Sequence, residues 1–113
     1  MSLQQNILDM LARAACWARR ERVDRSQVNK LLEVLESTRN VNYVIAFIAR
    51  QKGRGQIGRN TSKELINVLN TIGNNVDLAR EALGIFKWLF EACTIRPDKC
   101  VDINFKTFIS LVL

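Results

Sequence analysis

Histidine is absent from this sequence, and cysteine occurs only three times, as Cys16, Cys93 and Cys100. Without histidine, the chain can form neither a Ser-His or Cys-His catalytic pair nor an imidazole metal site. No two cysteines stand in a C-x-x-C pair, so the common zinc and thioredoxin spacings are also excluded. We therefore expect no enzymatic activity, no metal site and no cofactor.

The cysteines also suggest a compartment. Cys16 and Cys93 lie within apolar patterns of helical spacing, which indicates small core residues. Cys100 follows across a turn that contains Pro97, so a Cys93–Cys100 disulfide is geometrically conceivable, and the sequence leaves this pairing open. An odd cysteine count without a secretory signal is typical of a reducing cytosol, so we expect a cytoplasmic protein.

Long hydrophobic runs are lacking as well. The uninterrupted run at 44–49 is far shorter than the ~20 residues that cross a bilayer. Residues 1–6 show neither the basic nor the apolar region of a secretory signal. A single proline and five glycines exclude a collagen-like chain, and the ordinary apolar fraction of 48% excludes low-complexity disorder. We expect one globular domain over residues 1–113 that does not bind membranes.

Acidic residues are missing between Glu36 and Glu64, and this gap is the most informative feature of the sequence. The whole chain has 17 basic and 11 acidic residues, a net charge of +6. The gap contains six cations: Arg39, Arg50, Lys52, Arg54, Arg59 and Lys63. Because basic and acidic residues balance elsewhere, the net charge lies entirely within positions 37–63. Arginine outnumbers lysine, which favours bidentate recognition of phosphate, so we predict that this region binds nucleic acid.

A second basic cluster lies near the predicted end of the first helix, and Glu21 and Asp24 offset part of its charge. From this cluster we include Arg20 and Arg22 among the candidate nucleic-acid-binding residues. Glu33 and Glu36 share a helical face, but nothing in the sequence makes them a catalytic pair, and we interpret them as solvated.

The segment 53–60, GRGQIGRN, is rich in glycine and arginine. It partly matches the dinucleotide fingerprint and the P-loop, but a helical pattern precedes it where both motifs need a strand. Arg59 and Asn60 also stand where a P-loop has Lys and Ser or Thr. We interpret the segment as an exposed loop whose backbone can approach a phosphate chain. The alternative is a solvated loop whose charge only aids solubility. Neither interpretation includes a small-molecule substrate.

Apolar residues repeat at helical spacing almost throughout, which predicts an all-α, compact bundle of five to six short helices. Residues 101–113 fit both a strand and a helix, and we favour a helix because no partner strand is evident. The predicted helices are 3–21, 25–37, 41–52, a fourth beginning near Thr61, 76–94 and a sixth after Asp102.

Capping signals mark several of the predicted helix starts. Asp24 with Gln27 and Thr61 with Glu64 fit the capping-box pattern, and Asn40 and Asp102 are single N-cap candidates. Gly73 and the following asparagines should end the fourth helix.

Three aromatic residues could in principle stack on bases. Trp17 and Trp88 border apolar helical faces, and we interpret both as core or interface packing rather than as stacking platforms. Tyr43 lies on the opposite side of its helix from Val41 and Val44, so we expect it to be exposed near the arginines of the acid-free region.

Two stretches, NYVIAFIARQKGR at 42–54 and LGIFKWLFE at 83–91, together with the short basic helical format, resemble the small subunit of archaeal CRISPR effector complexes, above all the type I-A form. The likeness covers about two thirds of the chain and includes no catalytic motif. It implies a non-catalytic subunit present in several copies, which contacts other subunits and lines a basic path for guide RNA, target DNA or displaced DNA. Some relatives carry a small β element that this sequence lacks.

Two functional classes therefore remain open. The first is a subunit that binds nucleic-acid backbone without reading sequence. The second is a free-standing DNA-binding regulator of helix-turn-helix type, whose recognition helix lies within residues 39–63.

Overall fold

The structure is a computed structural model that describes residues 3–113. Met1 and Ser2, on which the signal-peptide expectation partly rests, lie outside the described residues. The described chain contains helices and no strand, which confirms the predicted all-α bundle. The helices are α1 (Gln5–Arg20), α2 (Arg25–Thr38), α3 (Val41–Gly53), α4 (Arg59–Ile72), α5 (Val76–Ala92) and α6 (Phe105–Val112).

Helix α1 lies at the centre of the bundle and packs against α4, α5 and α6. Its buried face is rich in alanine, and Ala12, Ala15 and Ala18 are fully buried. Small side chains let neighbouring helices approach closely, so their larger leucine and phenylalanine residues fill the core. Helix α2 packs against α3 and α5, and α3 packs against α4. Helices α3 and α4 are therefore neighbours, which positions the acid-free region on one side of the molecule.

The predicted caps of α2 and α3 are present. The Asn40 side chain accepts a hydrogen bond from the Asn42 backbone N–H at 2.9 Å, and Asp24 accepts one from the Ser26 N–H at 2.9 Å. The predicted Asp24–Gln27 capping box is wrong, because the Gln27 side chain is buried and accepts a hydrogen bond from Gln51 Nε2 at 2.7 Å.

Two other helix starts differ from the prediction. Helix α4 begins at Arg59, and Thr61 and Glu64 form no capping box because each has a partner on α1 or at its end. Helix α6 is capped by Asn104, not Asp102, through a reciprocal capping box with Thr107. In both cases the residue type is suitable for a cap, but tertiary contacts or the local turn select another position.

The cysteines do not form the Cys93–Cys100 disulfide that the sequence left open. The disulfide joins Cys16 of α1 to Cys100, with a Cα–Cα distance of 5.6 Å, and Cys93 is free and buried. Burial raises the pKa of the Cys93 thiol, which makes it a weak nucleophile.

One face of α1, formed by Asp9, Arg13, Cys16 and Arg20, holds the chain between α5 and α6. These four residues are spaced at i, i+4, i+7 and i+11, so they follow one another along the helix. Their partners are, in the same order, the Phe105 N–H, the Ile103 carbonyl, Cys100 and the Asp98 carbonyl. The segment therefore runs antiparallel to α1, and we call these four residues the α1 anchor face.

Within residues 3–113, no helix combines the length and the apolar character that a membrane span requires.

Candidate nucleic-acid interface

An open groove of about 510 Å³ lies between the end of α3 and the first half of α4. Lys52 contributes from α3, and Arg59 and Lys63 contribute from α4. Arg59 and Lys63 are four residues apart, so they share one face of α4. We call this site, defined by Lys52, Arg59 and Lys63, the basic groove.

The remaining walls of the basic groove are short or partly apolar: Ala49, Gly53, Ser62 and Ile66. Short side chains leave room for a ligand to approach the helix backbones, while the three long cationic side chains can reach toward it. The open shape suits a linear polyanion rather than an enclosed small molecule.

The outer face of α3 continues the basic surface. Tyr43, Ala46, Arg50 and Gly53 are all exposed and follow a spacing of i, i+3, i+7 and i+10, so they form one line along the helix. We call these four residues the α3 stripe. Gly53 belongs to both the stripe and the basic groove, which makes the two surfaces continuous.

Two further candidate cations lie at the ends of α3. Arg54 is exposed at its C-cap, next to the groove, and Arg39 is exposed two residues before its first turn. A helix rises about 1.5 Å per residue, so Arg39 lies roughly 20 Å from the groove end of α3.

The six cations of the acid-free region share one electrostatic property. Across residues 3–113, no carboxylate lies within salt-bridge distance of any of them. Arg39 has one longer-range attraction: the pKa of Glu36 is lowered first by a hydrogen bond from Arg80 and to a smaller extent by Arg39. The positive charge of this surface is therefore available to a ligand.

Most of the basic residues around α1, in contrast, have a salt-bridge or hydrogen-bond partner within the protein. Arg13 pairs with Glu64 at 3.0 Å, and Arg25 lies 3.9 Å from Glu91. Arg19 donates to the Phe90 carbonyl at 2.9 Å and stacks on the Phe90 ring.

The two candidates from this second cluster lie apart from the basic groove. Arg20 donates to the Asp98 carbonyl and lies 5.5 Å from the centre of the Trp17 ring. Arg22 faces a separate open cavity of about 420 Å³ between the ends of α1 and α5. The structure therefore brings Lys52, Arg59 and Lys63 into one groove, adds Arg50 and Arg54 beside it, and leaves Arg20 and Arg22 elsewhere.

Glu21 was not a candidate, yet it organises the start of α4. Its carboxylate accepts hydrogen bonds from the backbone N–H groups of Asn60 and Thr61 at 3.1 and 2.9 Å, and from both of their side chains. Burial raises the pKa of the Glu21 carboxyl, but these hydrogen bonds outweigh burial and lower it overall. The carboxylate thus supplies the negative charge that a helix N-terminus favours, and it fixes the position of Arg59.

The glycine-rich loop has a more specific role than chain flexibility alone. A Cβ at Gly58 would lie 2.7 Å from the Cβ of Glu21, so only glycine leaves room for the Glu21 side chain. Ile57 is buried, and its backbone N–H bonds to the Gln51 carbonyl. The loop therefore fixes the position of the end of α3 relative to the start of α4, and these two helix ends border the basic groove.

Among residues 3–113, two non-glycine residues have a left-handed backbone, Arg22 with φ of 61° and Arg39 with φ of 51°. A bulky side chain in this conformation costs roughly 1 kcal/mol relative to glycine. Both residues were candidates from charge alone, and glycine would fit either turn better on backbone grounds.

Trp17, Tyr43 and Trp88 differ in their exposure to solvent. Trp17 is half-buried against the core, whereas Trp88 is 71% exposed, so Trp88 is not a core residue and its packing at an interface stays a prediction. Tyr43 is 59% exposed, which confirms its predicted exposure. Trp88 stands four residues from both Gly84 and Ala92, so these three residues share a face of α5 that is separate from the buried leucine and phenylalanine residues. This spacing could have predicted the exposure of Trp88.

No group of three or more Cys, Asp or Glu side chains that could hold a metal ion occurs within residues 3–113. The chain matches no model of a known protein family, no curated protein and no solved structure.

Proposed function

We propose that this chain is a non-catalytic subunit that binds the phosphate backbone of nucleic acid through the basic groove and the cations beside it. The observation that carries the proposal is a contrast in pairing within residues 3–113: none of the six cations on the α3 and α4 side has a salt-bridge partner, whereas around α1 Arg13 and Arg25 are salt-bridged and Arg19 is held by Phe90. A polyanion gains most from positive charge that has no partner within the protein.

The chemistry of the groove favours backbone binding over sequence readout. Its three cations have long, exposed side chains, and phosphate is the one group that every nucleotide presents in the same way. Arginine can bind phosphate oxygens through two parallel hydrogen bonds, and lysine adds a mobile point charge.

The small number of contacts implies weak binding by one copy. Three to six neutralised phosphates give an affinity that falls steeply with salt. Several copies along one strand would bind more strongly, because each further copy adds its contacts at a high effective concentration. This is consistent with the resemblance to small subunits of archaeal CRISPR effector complexes, in which we propose that the chain acts with other subunits and with copies of itself.

The test removes charge from the groove. In the groove variant, Lys52, Arg59 and Lys63 are each replaced by Gln, and binding to labelled single strands, RNA and duplex is measured across a salt series. Each lost phosphate contact makes the negative slope of log affinity against log salt shallower by about 0.9 on duplex or about 0.7 on single strands. We expect the magnitude of the slope on single strands to decrease by about 2 in the groove variant.

The matched control changes the same net charge elsewhere. Lys30, Arg96 and Lys106 are exposed and lie outside the groove, and replacing all three by Gln should leave the slope nearly unchanged. Equal losses in both variants would show that only net charge matters and would contradict the proposal. A preference of several orders of magnitude for one duplex sequence would favour the helix-turn-helix regulator instead.

A further inference from the structure

Tyr43 is an exposed aromatic residue in a cationic surrounding. It lies within the acid-free region, with Arg39 four residues before it and Arg50 two helical turns after it. The axial distance from Tyr43 to Arg50 is about 10 Å. An exposed ring flanked by cations is the arrangement with which proteins bind single-stranded nucleic acid: bases stack on the ring and the cations hold the backbone.

The surface between the ring and the basic groove carries small residues. The next residue of the α3 stripe is Ala46, and Ala49 and Gly53 continue toward the basic groove, all of them exposed. None of these side chains extends far enough to obstruct a planar ligand on the Tyr43 ring. A strand whose phosphates lie in the groove would therefore have a path for its bases across Ala49 and Ala46 to Tyr43.

Trp88 shows that exposure alone does not make such a platform. It is more exposed than Tyr43, but it lies on the same face of α5 as Asp77 and Glu81. Arg80 pairs with Asp77, and Lys87 offsets Glu81, so this face has no excess of positive charge to attract a polyanion. Tyr43 is thus the exposed aromatic residue that lies within the surface whose charge favours nucleic acid.

We propose that Tyr43 is a base-stacking platform and that the ligand of the basic groove is single-stranded nucleic acid rather than duplex. Bases in a duplex are stacked on one another and cannot lie on a side-chain ring, so only an unpaired strand can use Tyr43 and the groove together. This inference rests on the proposed function, because it names the form of nucleic acid that the same site binds.

The test compares four proteins: wild type, Tyr43→Leu, Tyr43→Phe and Trp88→Leu. Binding to a labelled single strand, to the matching duplex and to an abasic strand of equal length is measured at one salt concentration. Tyr43→Leu should weaken single-strand binding roughly 5- to 100-fold, the range for one stacked base. Tyr43→Phe should retain the affinity, and Trp88→Leu should not change it. The abasic strand keeps the phosphates but lacks bases, so wild type and Tyr43→Leu should bind it equally.

The possible failures are distinct. If wild type binds none of the ligands, both the proposed function and this inference are overturned. If wild type binds but Tyr43→Leu retains its single-strand affinity, or duplex binds as tightly as the single strand, backbone binding stands and the stacking platform is wrong. A loss in Tyr43→Leu that is equal for the intact and the abasic strand would also overturn the platform, since it would show damage to the groove rather than lost stacking.

Discussion

Glu21 is the residue whose single carboxylate decides where α4 begins. It receives four hydrogen bonds from Asn60 and Thr61, although α4 has no capping side chain of its own. From the sequence, Glu21 was a charge that partly offsets nearby arginines. Its true role depends on a contact across 39 residues, which local pattern cannot reveal.

Replacing Glu21 by Gln should lower the free energy of unfolding by about 1–2 kcal/mol, because the amide accepts fewer hydrogen bonds and its NH₂ group faces backbone donors. Glu33→Gln is the control, since Glu33 is exposed on α2. Chemical denaturation of both variants measures the difference. Equal stability of the two variants would contradict the capping role.

The same carboxylate should make stability depend on pH. The pKa of Glu21 is lower in the folded protein than its ordinary value, so its stabilising contribution is complete above the unfolded pKa and is lost as pH falls through the folded pKa. Wild type should therefore lose part of its advantage over Glu21→Gln in acid. Denaturation curves at neutral and acidic pH compare the two proteins, and a constant difference across this range would argue against the assignment.

At the scale of the helices, the sequence predicted the number and the class of elements because each buried face repeats at helical spacing. The ends were less predictable where a partner lies far along the chain. Asn40 caps α3 as predicted, because its side-chain oxygen and the Asn42 N–H that donates to it are only two residues apart. Thr61 and Glu64 match a capping box equally well, yet contacts to Glu21 and Arg13 take their side chains.

Gly58→Ala tests whether the junction of the loop and α4 depends on close contact with Glu21. The added Cβ would collide with the Glu21 side chain, so we expect a loss of about 1–3 kcal/mol in the free energy of unfolding. Gly53→Ala is the matched control: a Cβ there meets nothing within 4 Å, and its φ is not positive. Alanine at Gly53 should be neutral or slightly stabilising. If both variants unfold alike in thermal denaturation, the close contact at Gly58 is not important.

The sequence predicted where the candidate site lies, but not which of the basic residues belong to it. Charge placement in the sequence identified the α3 and α4 region, and Lys52, Arg59 and Lys63 do share a groove. Arg20 has the same residue type and a similar setting in the sequence, but it donates to the Asp98 carbonyl. Which arginine has a partner is decided by the tertiary path of residues 93–104, and no local pattern indicates that path.

At the scale of the whole molecule, the α1 anchor face joins the two ends of the chain. The disulfide spans a sequence separation of 84 residues, so it restricts the unfolded chain strongly. The chain-entropy estimate for a loop of this length is about 4–5 kcal/mol, and removal of native disulfides typically costs about 2–5 kcal/mol.

Reduction should therefore lower the melting temperature by about 10 °C or more. The shift on adding reductant should be present in Cys93→Ala, because Cys93 takes no part in the disulfide, and absent in Cys100→Ser. Thermal unfolding followed by circular dichroism measures all three proteins. A reductant shift that disappears in Cys93→Ala would contradict the Cys16–Cys100 pairing.

The most direct test of the central claim is to map where nucleic acid touches the protein. Backbone amide resonances of the ¹⁵N-labelled chain would be followed by NMR while an unlabelled single strand is added at low salt. We predict that the largest shifts occur at residues 49–66 and along the α3 stripe, with little change on the outer face of α5. Shifts centred instead on α5, or on the cavity beside Arg22, would contradict the claim that the basic groove binds nucleic acid.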